Sequence, residues 1–259
     1  MPQAQLLRIF ARPPLPLLFA LAGAGLIISA YSAWDATLPA FCGAGSARLL
    51  LSFGWPDALR LALALNPPAR LLTEWASMLL AMMPPLLAVP LMHVWRSSQP
   101  RRRVRAITCF VLGYGCVWLT VGPVLIGLAL LLQFVAGQGA VAFAGAVLLA
   151  SLWSASPWQR IALNRGHRLS RIGLFGWAAD RECLTFGAVH AVWCVASCWP
   201  WMLVPLAAAS WHIPAMLVTG AIMLLERLGP PGWPRWRWPA FLALLDLRPI
   251  RVLRQGGVR

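Results

Sequence analysis

The sequence predicts an all-α fold: a polytopic bundle of about six transmembrane helices with both termini cytoplasmic, accompanied by amphipathic interfacial helices. Three observations carry that expectation. Of 259 residues, 60% are hydrophobic and only 11% are charged, whereas a soluble domain carries about 25% charged residues. Apolar runs of bilayer length recur along the chain. The 22 basic residues are all arginine, set against seven acids, and they cluster in the short segments between those runs. A net charge of +15 suits nucleic acid in other settings. Here the placement follows the positive-inside bias, so the expected partner is a bilayer with anionic headgroups and not nucleic acid. Many of the fifteen tryptophans, Trp34, Trp75, Trp95, Trp199, Trp201, Trp211, Trp233, Trp236 and Trp238, lie near the ends of apolar segments as in an interfacial belt.

The whole chain, 1–259, reads as a single integral membrane domain. Arg8 and Arg12 precede a first span at 15–33, longer than the core of a cleaved signal and so read as a retained anchor. Residues 34–69 hold Asp35, Arg48, Asp57 and Arg60, and the apolar run 49–65 within them carries two charges and a proline, which predicts an external amphipathic helix lying on the membrane, with a seventh span as the alternative. The second span, 71–95, contains Pro84-Pro85, and the loss of two backbone donors predicts a kink there. Trp75, Met78, Met82 and Pro85 share one face of it. Arg96, Arg101, Arg102, Arg103 and Arg105 follow. The third span, 106–132, carries Cys109, Gly113, Cys116 and Thr120 at helical spacing, a small-residue stripe that lets helices approach. The fourth, 139–155, is rich in Ala and Gly and offers no chemistry. An arginine-rich linker, 156–182, leads to the fifth span at 183–208. The sixth, 213–228, ends in Glu226-Arg227. The run 240–247 is too short to span and reads as an interfacial helix within a basic cytoplasmic tail, 229–259.

Candidate chemistry lies in the fifth span, where His190, Cys194, Cys198 and Met202 recur at every fourth position. On a helix they form one slowly drifting stripe. Imidazole, thiols and a thioether together favour a thiophilic ion such as Cu(I), although Cys and Met also serve as plain apolar filler. The alternation of basic segments sets depth. The second span enters from outside, placing Met78 roughly 10 Å and Met82 roughly 16 Å below the outer surface. Met216, one turn into the sixth span, lies at a comparable level, with His212 at the rim. The expected outer site therefore comprises Met78, Met82, Cys198, Met202 and Met216, and the deeper one His190 and Cys194. Glu74 and Glu226 sit near opposite ends of their spans, where an arginine-paired carboxylate is the ordinary arrangement. No hydrolase, phosphate-loop or zinc-protease signature occurs, and Cys194 and Cys198 are poorly placed for a disulfide. The protein is not expected to be an enzyme.

The pattern Trp75-x-x-Met78-x-x-x-Met82-Met83-x-Pro85, then Gly113-Tyr114 and Trp118, then Gly187-x-x-His190-x-x-x-Cys194-x-x-x-Cys198-Trp199, ending in Met216 and Leu225-Glu226, resembles a bacterial family. That family comprises predicted metal-binding integral membrane proteins, formally a domain of unknown function, some of whose members are described as copper chaperones. The resemblance covers residues 70–228. It departs from the family pattern at Ser197-Cys198, where a cysteine pair is usual, and at Ala162 and Gly166, where cysteines are common. The resemblance implies a multi-pass protein of the bacterial inner membrane that binds copper and delivers it to a membrane or periplasmic protein partner. A non-catalytic membrane subunit or assembly factor of a larger oxidoreductase is the alternative. A small-solute transporter would need more polar groups at mid-membrane than His190 supplies.

Overall fold

A computed structural model describes residues 14–34, 68–136, 140–173, 175–208 and 211–239. Nearly all of the external segment, residues 137–138, Cys42 and the terminal 240–247 run lie outside these residues. Among the described residues the regular structure is entirely helical. Helix α1 is Leu15–Trp34 and α2 is Pro68–Met82, followed by a 3-10 turn at Pro84–Leu87 and α3 at Ala88–Ser97. Helix α4 is Arg103–Ala136, α5 is Ala140–Ala155 and α6 is Pro157–Gly166. The last two are α7, Gly176–Ala207, and α8, His212–Leu228.

Among the described residues two helices, α4 and α7, are long and apolar enough to cross a membrane, and the number rises to four if each bent pair counts as one span. The first pair is α2 and α3, bent by 55° at the Pro84-Pro85 step, as the missing backbone donors require. The second is α5 and α6, bent by 70°. Here the arginine-rich linker contains a helix. Ser156 caps it, accepting from the Gln159 backbone N–H at 3.2 Å, and Pro157 stands at its first position. The Ser-Pro pair is a helix-start signal.

Helix α7 is the axis of the molecule. Its apolar stretch is 67% buried, whereas that of α4 is 28% buried and exposes Val111, Leu112, Leu119 and Val124. A helix apolar all round needs neighbours on every side, and α7 packs on α4, α5, α6 and α8. Its contact with α4 is set by two glycines. A Cβ on Gly113 would strike the Leu184 carbonyl, and one on Gly187 would strike the Phe110 carbonyl. Small residues at a crossing let backbones meet, and Gly113 fulfils that expectation. Cys116 and Thr120 do not, for both are exposed.

The described basic segments between the helices gather at one end of the bundle. Arg102 Nη2 donates to Asp180 Oδ1 at 2.6 Å, Arg105 pairs with Asp180 Oδ2 at 2.6 Å, and His93 Nε2 lies 2.8 Å from the Ser170 carbonyl. Arg103 covers Trp95, and Arg165 covers Trp193. Residues after α8 are strapped across α6, with Arg160 donating to the Pro230 carbonyl at 2.6 Å and Asn164 exchanging two bonds with Gly232. Asp180 is buried between two guanidinium groups, so Asp180→Ala should lower stability by about 1–3 kcal/mol. Thermal unfolding in detergent checks this, and an unchanged midpoint would contradict it.

Candidate metal centre

The centre is assembled from α2, α4, α7 and α8. Trp75 anchors α2 by donating from Nε1 to the Trp118 carbonyl at 3.0 Å, and its indole lies against Gly122, where a Cβ would leave no room. One and two turns on, Met78 and Met82 are buried in the same core. Met82 faces α8: a Cβ built on Gly220 would stand 4.0 Å from its Cγ. Met83 continues the helical bonding, its N–H reaching the Leu79 carbonyl at 2.9 Å. Pro84 then breaks the helix. Consecutive methionines thus project to different neighbours, and Met83 reaches α4.

There Tyr114 Oη stands 3.3 Å from Met83 Sδ and 3.3 Å from Cys194 Sγ. A thioether can only accept, and a phenol has one proton to give. The consistent arrangement is a chain in which the Cys194 thiol donates to the phenol oxygen and the phenol donates to Met83. The two sulfurs are therefore no further apart than twice that distance. On the next turn of α7 the Cys198 thiol lies 2.9 Å from the Cys194 carbonyl, which Ser197 Oγ also reaches at 2.8 Å. Cys198, Met202 and Met216 are all buried and belong to the same core as Met78, Met82 and Cys194.

His190 lies one turn below Cys194 and is also buried, its ring packed among Phe110, Tyr114 and Phe186. Its Nε2 accepts from Arg227 Nη2 at 2.8 Å. Of the two span carboxylates, Glu74 pairs with Arg70 at 3.0 Å as expected. Glu226 has no arginine partner among the described residues. It is buried at the end of α8 and accepts from Gln159 Nε2 at 2.7 Å, beside Ser154, which accepts from Trp201 Nε1 at 2.8 Å.

Sequence reasoning passed over Met83 and Tyr114 as site residues. A signal existed for each. Met83 directly precedes a helix-breaking proline, and Tyr114 is one of two tyrosines in the chain, a hydroxyl in mid-helix that needs a partner.

Among the described residues no three of His, Cys, Asp and Glu cluster as metal ligands. The soft donors that share this core are two free thiols and several thioethers, of which Met83 and Cys194 are brought together on Tyr114. This set suits a soft monovalent ion and offers no carboxylate to a hard divalent one. The fold and donor set together define a helical protein with membrane-length apolar helices around a soft-sulfur core. The profile of the copper chaperone family PpoB2 matches residues 72–246, well over half of the chain, and the chain belongs to that family. The match runs from within α2 to beyond α8 and takes in every thiol and thioether of the candidate centre. It suggests a copper-related, non-catalytic role. No curated protein and no solved structure gave a match.

Proposed function

We propose that this protein binds Cu(I) within the bacterial inner membrane and holds it for transfer, from the outer half of the bilayer, to a membrane or periplasmic partner. The observation that carries the reading is the Met83–Tyr114–Cys194 contact, which brings a thioether and a thiol from separate helices onto one phenol. Cys194 and Met83 form the deeper part of the path. Cys198, Met202, Met78, Met82 and Met216 form the outer part. Thioethers hold Cu(I) loosely enough to exchange it, and a thiolate holds it more tightly. Burial strips the ion of water, and the charge of one thiolate offsets that of one Cu(I).

This reading places α1, α2 with α3, α4, α5, α7 and α8 across the membrane, with both termini cytoplasmic. The gathering of arginines at one end of the bundle supports it, because the positive-inside bias turns that end toward the cytoplasm. Elemental analysis of protein purified under anaerobic conditions with Cu(I) tests the reading. It predicts about one bound copper per chain, retained through desalting, consistent with burial of the ligands. Copper no higher than that of a control membrane protein would sink it.

A further inference from the structure

We propose that Arg227 sets the metal specificity of this centre by withholding His190 from it, an inference that rests on the Cu(I) reading above. Arginine has five N–H donors and no acceptor. Its approach to His190 Nε2 at 2.8 Å therefore requires an unprotonated Nε2, and the imidazole of neutral His190 carries its proton on Nδ1. Both ring nitrogens are then closed to a metal. Nε2 has given its lone pair to a cation that would also repel a metal ion. Nδ1 could bind only by losing its proton, which Nε2 cannot take while the guanidinium faces it.

The guanidinium is held in place. Arg227 Nη2 also donates to the Gly166 carbonyl at 3.0 Å, and the Arg227 carbonyl lies 3.0 Å from His167 Nε2. Gly166 is flush against it, for a Cβ there would run into Nη1 and lie 3.0 Å from Cζ and Nη2. Arg227 has no carboxylate partner among the described residues, and its Nη1 is buried without an acceptor. Glu226, its neighbour in sequence, is engaged by Gln159 on another side.

The consequence concerns ligand chemistry. His190 and Cys194 are four residues apart on one helix, so their side chains share a face. An available imidazole beside a thiol is a ligand pair for Zn(II), Ni(II) and Cu(II), while a sulfur-only set selects Cu(I) and its analogue Ag(I). The Arg227–His190 bond keeps the centre sulfur-only.

Equilibrium dialysis of the full chain in detergent, with Zn(II) and Ag(I) in separate arms, tests this. Arg227→Met and, independently, Gly166→Ala should each gain Zn(II) binding by about tenfold or more over the unaltered protein, the scale on which metal-site partners act. Adding His190→Gln to either variant should abolish the gain. Gly166→Ala keeps Arg227 and tests its displacement alone, so a folding defect in Arg227→Met does not decide the matter. The proposal is overturned if neither variant gains Zn(II), if the gain survives His190→Gln, or if the unaltered protein already binds Zn(II) through His190. Failure of the unaltered protein to take Ag(I) strikes the Cu(I) reading instead, and the zinc arm still decides the role of Arg227.

Discussion

Exchanging Cys194 and Cys198 together for serine should strip the protein of its copper. Serine keeps the shape and donor capacity of the thiol in a slightly smaller volume, so the Tyr114 chain and the bond to the Cys194 carbonyl retain polar partners. What is lost is the soft anionic ligand. Only thioethers remain, and they bind Cu(I) with no charge to offset it. Supporting groups around a metal alone alter affinity by about 10–100-fold, so removing both thiolates should weaken Cu(I) at least that much. Competition against a Cu(I) chelator reads the change. Cys109→Ser and Cys116→Ser, half-buried and exposed on α4, should leave affinity where it was. Equal affinity in the Cys194/Cys198 variant would mean that copper binds elsewhere.

The second large effect concerns stability. Gly187→Val should destabilise the bundle by about 3 kcal/mol or more, at the upper end of overpacking. The group it would strike is the Phe110 backbone carbonyl, which cannot rotate aside as a side chain does. Helices α4 and α7 must separate, and with them Tyr114 and Cys194. Gly113→Val should act through the same crossing, since its obstacle is the Leu184 carbonyl. The two effects should therefore fall short of adding in the double variant. Gly115→Ala and Gly127→Ala meet nothing within 4 Å and should be near neutral. Unfolding in denaturing detergent compares all four, and wild-type stability of Gly187→Val would contradict the packing described.

The helical segments were legible because membrane-length apolar runs and flanking arginines are local signals. Pro84-Pro85 foretold the bend for the same reason. The soft stripe on α7 was visible as a spacing, and its burial follows from α7 lying at the centre. The contacts that define the centre were not legible. Whether Met82 or Met83 turns toward α4 depends on where the helix breaks within a single turn, and the sequence marks that only to within a residue or two. Tyr114 meets Cys194 across 80 positions and Arg227 meets His190 across 37, and no periodicity encodes such pairings. Helix α6 was hidden by its polar composition, although Ser156-Pro157 announced it.

X-ray absorption at the copper edge of the Cu(I)-loaded protein tests the central claim most directly, because it reads the atoms bound to the metal. Monovalent copper is expected in a shell made of sulfur alone, thinned in the Cys194→Ser variant. A shell containing nitrogen or oxygen, or one unchanged by that substitution, would contradict it.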